Sequence, residues 1–543
     1  MNPEEGMRPR WLTWAALAMM VFYILLTLFD AYFVQVEKDE GFYAYAFRLV
    51  ANGKLPYRDF SYIESPALPY YYASLLAGPG ITLLSVRLLC AMTGLAGLLI
   101  LVWCAARSAG NVAASVAALL LFANAAQAKF FACDVTYPLI TFLLALAIAA
   151  ELSSWSISSR MAVQGILLAL VGAAKASMGL VSLVWLGGLL WCRRRDRRAV
   201  TLGIVAFLAT LVISIGPFLL ADPKAFFFNV VTVPLTRTRL YPFMHKAKPL
   251  DQWLEYGLGQ KIEALRTVIL WHVPAVALAF LAWRVRRVGA QRCRGILGEA
   301  TFPIAGSLVL GLFFHLLLPS PAYPNYLFLL IPTLTLFVAL RYARFLDYAD
   351  WGPARAWALA LPVLLCALHL LGGVKTDEVG LQVGTWRHGP QREMTRLTAQ
   401  IVPPGGRLLT DYLPLAVDAD RQVVPGNEGG RNSLIPDLPD DRARAFHILN
   451  RKSFLEILLK GQAQGVVLTE RLTEKSYGSV PHFQEEMNAA LSRRYELVRE
   501  FPGSVYFVYG RTRLFRLRSA AADPSIPGGG APPSPGIGAP PSQ

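Results

Sequence analysis

Long blocks of apolar residues, rather than amphipathic stripes, set the pattern of this chain from its start to residue 373. The blocks fall at residues 11–29, 86–106, 111–128, 135–152, 161–175, 177–192, 200–220, 266–283, 301–318, 324–340 and 355–373. Most are long enough to cross a hydrocarbon core of about 30 Å as a helix. The pattern predicts an α-helical integral membrane protein with about eleven transmembrane helices, although the two short blocks flanking Lys175 also fit one bent hairpin. No small-residue cleavage site follows the first block, which reads as a signal anchor.

Past residue 373 the pattern becomes polar and short-ranged. Strand-like runs such as GRLLTDYL, GVVLTERL, YELVREF and VYFVYG alternate with helical stretches around 390–401, 451–460 and 482–493. This predicts a small α/β domain over 374–518, appended to a membrane domain over 1–373. The Pro-Gly-Ser between YELVREF and VYFVYG predicts a turn joining two antiparallel strands. From 519 to 543 the chain is Pro, Gly, Ala and Ser with almost no charge, a composition that buries no core and predicts disorder. No internal repeat is present.

Composition agrees, with 55% hydrophobic and only 16% charged residues in 543. The net charge of +16 is largely arginine between the apolar blocks: Arg8, Arg10, Arg107, Arg160, the RRRDRR run at 193–198, the arginines between 284 and 294, Arg341 and Arg344. Eleven spans with a cytoplasmic N-terminus place all of these inside, as the positive-inside rule requires. The same count puts Asp39, Asp134, the segment 221–265 and the C-terminal α/β domain outside the cytoplasmic (inner) membrane. Basic and aromatic residues do not interleave as on a nucleic-acid surface, so no nucleic-acid partner is expected. The six cysteines lie in or beside the blocks, and the extracytoplasmic domain is expected to fold without disulfides.

Candidate chemistry collects in the first outer loop, residues 30–85. Asp39 and Glu40 follow Glu37, and Asp59 and Glu64 come later in the same loop. Carboxylates at a membrane surface suit transfer chemistry, either taking a proton from an acceptor hydroxyl or holding a divalent cation against a phosphate. By composition alone they equally suit a merely solvated loop.

The order of residues says more. DEGFYAYAFRLVANGKLPYRDF followed by YIESPALPYY resembles the first outer loop of the GT-C membrane glycosyltransferases, especially bacterial members related to the lipid A aminoarabinose transferase and the protein O-mannosyltransferases. In that family an acidic pair opens the loop, followed by a short amphipathic helix, a Gly-x-x-Pro-Tyr-x-Asp run and an acidic residue before a Pro-rich helix entry. Here these match Asp39 and Glu40, a helix from about Tyr43 to Ala51, then Gly53, Pro56, Tyr57 and Asp59, and finally Glu64 with Pro66. The resemblance implies a GT-C fold and an inverting transfer of sugar from a polyprenyl-phosphate donor. Asp39 would be the general base and Glu40 its support or a contact to the acceptor, while Tyr57, Asp59 and Glu64 would line the substrate site. Ser65 departs from the basic residue of the aminoarabinose transferase, so that enzyme's particular sugar and phosphate contacts do not carry over.

Further residues extend this reading. Asp134, in KFFACDVTYPL, opens a span where the family carries an Asp, which implies a catalytic role here, although a helix cap would also account for it. Lys175, alone between two apolar blocks, either meets the donor phosphate, as the resemblance implies, or snorkels to the surface. Arg237 and Arg239 are candidates to grip a phosphate, whereas His245, Lys246 and Lys248 suit adhesion to lipid headgroups. Tyr323 and Tyr326, in PSPAYPNY, would line the lipid groove or join an interfacial aromatic belt.

No Cys or His cluster has metal-ligand spacing, and no phosphate-binding glycine loop or nucleophile elbow is present. A cofactor is not required, although a divalent metal is compatible with the loop. The expected partners are a polyprenyl-phosphate sugar, a lipid, glycan or protein acceptor, and the surrounding membrane lipids. Two rival classes share the hydrophobicity. A lipid-linked sugar flippase would place its essential charges near the bilayer midplane, and a noncatalytic envelope assembly protein would need no such set of carboxylates.

Overall fold

The computed structural model describes residues 10–34, 36, 38–240, 250–284, 300–317, 324–348, 354–375, 390–470, 472, 482–501 and 510–518. Apolar helices form its first part. Helix α1 spans Arg10–Phe33 and, at 24 residues, is about 36 Å long, enough to cross a bilayer. Outside the membrane helices come α2 (Lys38–Ala51) and α3 (Ala67–Leu76), then α4 (Leu83–Phe122), whose N-terminus is closed by a Thr82–Ser85 capping box. Helix α4 leaves helical geometry at Ala109 and Gly110, where a glycine at φ 78° allows the reversal.

Asn124 caps the short α5 (Ala125–Cys133), which meets α6 (Thr136–Glu151) at a 105° bend. Then follow α7 (Ile157–Ala174), α8 (Gly179–Cys192) and α9 (Arg197–Ala221). Helices α7 and α9 lie backbone to backbone, since a Cβ on Gly165 would come within 2.4 Å of the Gly203 carbonyl oxygen. Small residues allow this approach where both surfaces are apolar. The later helices are α10 (Pro223–Phe227), α11 (Val233–Leu240), α12 (Leu250–Trp271), α13 (Val273–Arg284), α14 (Thr301–Leu317), α15 (Ile331–Tyr348) and α16 (Ala354–Lys375).

Among the described residues, five helices are long and apolar enough to cross a membrane, and seven if each of two bent pairs is one span. The chain is thus a multi-pass membrane protein, and among the described residues the expected count of about eleven is not confirmed. The reason is local. The runs 111–128 and 266–283, each read as a single span, are bent at Asn124 and by 81° near His272, the expected spans 86–106 and 111–128 join in α4, and α14 is a shorter apolar helix. A run of apolar residues carries no record of such bends.

The bundle has two chemically different ends. Glu151, closing α6, accepts from Arg193 at 2.6 Å and lies 3.6 Å from Arg160, so the α6–α7 and α8–α9 basic loops meet there. The opposite ends of α6 and α7 carry Asp134 and Lys175.

The C-terminal part is a small α/β unit. Helix α17 (Pro390–Ile401) precedes β1 (Arg407–Thr410), α18 (Pro414–Asp418), β2 (Gln422–Val423), α19 (Asp440–Ala445), α20 (Arg451–Leu459), β3 (Gly465–Thr469), α21 (Phe483–Arg494), β4 (Tyr495–Phe501) and β5 (Thr512–Leu517). Strand order is β2-β1-β3-β5-β4, parallel across β2-β1-β3 and antiparallel across β3-β5-β4. The fully buried GVVLT of β3 sits centrally, and edge strand β4 exposes charged residues that discourage further pairing. Strands stand at three of the expected runs, while most of VYFVYG lies outside the described residues, as do residues 519–543. The closing strand is TRLFRL, whose Arg516 and Arg513 pair with Glu496 and Glu500 of β4.

This unit sits on α2. Arg48 donates to the Ala416 carbonyl at 3.1 Å and pairs with Asp420 at 3.1 Å, while the Val423 amide donates to the Tyr45 hydroxyl at 2.9 Å. Closest of all is Gly41, where a Cβ would stand 2.2 Å from Pro414 Cδ. Gly41→Ala should therefore push α2 and α18 apart and cost roughly 1–3 kcal/mol by overpacking. A lowered melting midpoint of the purified protein would show it, and an unchanged midpoint would deny the contact.

Candidate active site

Helix α2 begins at Lys38, earlier than the sequence pattern suggests, so Asp39 and Glu40 occupy its first turn. Negative charge is favoured there by the helix dipole. The two neighbours then diverge. Asp39 is half-buried. Glu40 is buried, and Arg87 of α4 takes both its oxygens, with Nε–Oε2 at 2.5 Å and Nη2–Oε1 at 2.7 Å. Arg87 Nη1 also donates to the Val34 carbonyl at 2.9 Å beyond the end of α1. This pairing ties the first turn of α2, which carries Asp39, to α4.

Around Asp39 the structure gathers side chains from distant segments. Lys175, at the break after α7, stands 3.5 Å from Glu64 Oε1, and its ammonium lies 5.9 Å from the centre of the Tyr326 ring. The Tyr43 hydroxyl donates to Glu64 Oε1 at 3.4 Å. Asp134, between α5 and α6, accepts from the Thr136 amide at 3.0 Å and lies within electrostatic reach of Lys175, Asp39 and Glu64. Tyr137 faces the same carboxylates together with Tyr326.

Lys175 thus pairs with Glu64 and reaches Asp134, which Asp39 also approaches. The consequence falls on Asp134: burial, followed by the charges of Asp39 and Glu64, pushes its carboxyl from 3.8 up to about 7, against the Thr136 amide and Lys175, which pull it down. Burial and then Glu64 and Asp134 likewise push the Tyr43 phenol well up, so it remains a hydrogen-bond donor. A carboxyl raised in the folded state contributes stability that is complete below the unfolded value of 3.8 and lost as pH rises through about 7. That loss amounts to at most about 4 kcal/mol. Asp134→Asn escapes it. The melting midpoint of the variant, relative to wild type, should rise between pH 5 and pH 8, and a pH-independent difference would contradict the assignment.

The other expected residues fall outside this cluster. Tyr57, at φ 70°, is fully buried, and its hydroxyl donates to the Glu64 backbone carbonyl at 2.6 Å, so it holds the loop that presents Glu64. Asp59 closes its own turn by accepting from the Leu55 amide at 2.7 Å and from Arg58. Both geometries are those of loop-shaping residues. Arg237 and Arg239 lie on α11, but their side chains, His245, Lys246, Lys248 and Tyr323 are outside the described residues.

Sequence reasoning missed Tyr43, Tyr137 and Arg87. Tyr43 follows Asp39 by four positions, which places both on one helix face. Arg87, an arginine inside an apolar run, demanded a buried partner. Among the described residues no group of three or more His, Cys, Asp or Glu side chains is placed to hold a metal ion.

No protein-family model matches the sequence, and no curated protein matches it. Solved structures do. ArnT from Cupriavidus metallidurans bound to undecaprenyl phosphate is 16% identical and matches at a TM-score of 0.61, over 96% of this chain and 100% of that one. Its apo state is 17% identical at a TM-score of 0.59, over 92% and 97%. The mycobacterial arabinofuranosyltransferase AftD is 16% identical at 0.50, over 95% of this chain but only 40% of that chain. The chain therefore has, over nearly its whole length, the fold of the GT-C glycosyltransferases.

Proposed function

We propose that this chain is an inverting glycosyltransferase that moves a sugar from a polyprenyl-phosphate donor to a glycolipid, polysaccharide or protein acceptor at the outer face of the cytoplasmic membrane. The observation that carries this reading is the meeting of Asp39, Glu64, Asp134 and Lys175, from four separate segments, at the end of the bundle opposite the Glu151–Arg160–Arg193 cluster. The positive-inside rule assigns the arginine end to the cytoplasm and the carboxylate end to the other side. Essential charges at one end of the bundle favour transfer chemistry over a flippase, which would hold them at the midplane.

In this reading Asp39 takes the proton of the acceptor hydroxyl as its oxygen attacks the anomeric carbon. The bond from that carbon to the phosphate oxygen breaks, and polyprenyl phosphate leaves with the electron pair. Lys175 compensates the negative charge of the phosphate, with Arg237 and Arg239 of α11 assigned to the same anion. Glu64 and Tyr326 hold the Lys175 ammonium until the donor arrives. The fold shared with a structure bound to undecaprenyl phosphate supports a lipid-phosphate donor.

Lys175→Ala tests the assignment of the phosphate. Losing one charge-assisted contact of about 1.5–3 kcal/mol should weaken binding of a polyprenyl-phosphate sugar by roughly 10- to 150-fold. Titration of the donor into wild type and variant in lipid nanodiscs measures this. Equal affinity would remove Lys175 from the donor site.

A further inference from the structure

A cleft of about 420 Å³ opens where the C-terminal unit meets the membrane helices, away from the carboxylate cluster. Tyr32 of α1 and Leu84 of α4 form its lower wall, and Gln391, Arg392, Thr395 and Arg396 of α17 its upper one. Arg392 and Arg396 are one helical turn apart, so both stand on one face of α17. Both are exposed, and among the described residues neither guanidinium has an ion pair.

Two buried polar groups add to this. Gln391 is only 6% exposed, and its Oε1 accepts from the Tyr412 hydroxyl at 3.0 Å, which leaves Nε2 buried without a partner. The hydroxyl of Thr395 is likewise buried and unpartnered. Buried donors are nearly always satisfied in folded proteins, so two of them beside two unpaired arginines point to a ligand rich in acceptor oxygens. Asp418, which also lines the cleft, is engaged elsewhere: its Oδ1 accepts from the Leu83 amide at 3.1 Å.

Helical spacing puts Leu28 and Leu25 on the same face of α1 as Tyr32, and Met92 on the same face of α4 as Leu84. Leu25 and Leu28 of α1 are 60% and 41% exposed, and Met92 of α4 is 58% exposed. These helices pass the length and hydropathy test for membrane spans, so the exposed rows face acyl chains. Free phosphate would have no use for such a wall, whereas a phospholipid matches both halves.

We propose that this cleft binds the phosphate headgroup of an anionic membrane lipid, with Arg392 and Arg396 pairing the phosphate, Gln391 and Thr395 donating to it, and the acyl chains lying along α1 and α4. The site seats α17, and with it the C-terminal unit, on the bilayer surface. The proposal rests on the membrane placement of α1 and α4 and is independent of the glycosyl-transfer reading.

The full chain in detergent micelles, titrated with phosphatidylglycerol and followed by native mass spectrometry, provides the test. Wild type should retain phosphatidylglycerol. The double variant Arg392→Gln, Arg396→Gln should bind it about tenfold more weakly or worse, given what each arginine contributes near an anionic headgroup. Thr395→Val, which keeps the side-chain shape, should also weaken it. Diacylglycerol, which lacks the phosphate, should not be retained. Undiminished binding to the double variant, or equal retention of diacylglycerol, would overturn the proposal. Displacement of the lipid by millimolar inorganic phosphate would assign the cleft to a free anion and overturn the lipid as its occupant.

Discussion

Asp39→Asn should lower sugar transfer by about 10²- to 10⁴-fold, the usual contribution of a positioned general base. The substitution keeps the shape of the side chain and removes only its ability to hold a proton. Helix α2 remains anchored by Glu40 on one side and by Arg48 and Tyr45 on the other, so the fold should survive. Donor affinity should be unchanged, because the missing interaction belongs to the transition state and not to the ground state. Single-turnover rates and donor titration on the same preparation separate the two. Asp134 is the competing base, being within electrostatic reach and raised to about 7. A variant at Asp39 that transfers normally, beside an Asp134→Asn variant that does not, would move the role there.

Arg87→Leu should have the largest effect on stability. The guanidinium and the Glu40 carboxylate are 1% and 3% exposed. Removing Arg87 leaves an uncompensated buried carboxylate, at a cost of about 3–5 kcal/mol. It also frees the Val34 carbonyl and detaches α2 from α4. The double variant Glu40→Leu, Arg87→Leu should recover part of that loss, because an apolar pair leaves no stranded charge. Melting midpoints in detergent for the two single variants and the double variant give the coupling directly. Additive effects would show that the pair does not act as a unit.

Much of the membrane character, and the end of the bundle where charge collects, was legible in the sequence. Asp39, Asp134 and Lys175 stood out because a charge beside a long apolar run has few explanations. The sequence could not show that Glu40 is spoken for, since Arg87 lies 47 positions away and pairing follows from how α2 crosses α4. Nor could it show that Tyr57 and Asp59 shape the loop, because both satisfy backbone groups only a few residues away through a turn at positive φ. The break at Asn124 comes from a single polar residue capping a short helix, which a hydropathy window averages away. In the C-terminal unit β5 escaped notice because Arg513 and Arg516 interrupt its apolar residues, a pattern that makes sense only opposite the glutamates of β4. The seat of that unit on Gly41 depends on a contact between positions 41 and 414 that no local pattern announces.

The central claim is chemical transfer from a lipid-phosphate sugar. Purified protein in lipid nanodiscs, given a panel of radiolabelled polyprenyl-phosphate sugars and a cell-envelope extract as acceptor, tests it most directly. Wild type should move label from one donor to the acceptor with inversion at the anomeric carbon and release polyprenyl phosphate, while Asp39→Asn does neither at a comparable rate. Binding of the lipids with no donor consumed by either protein would contradict it.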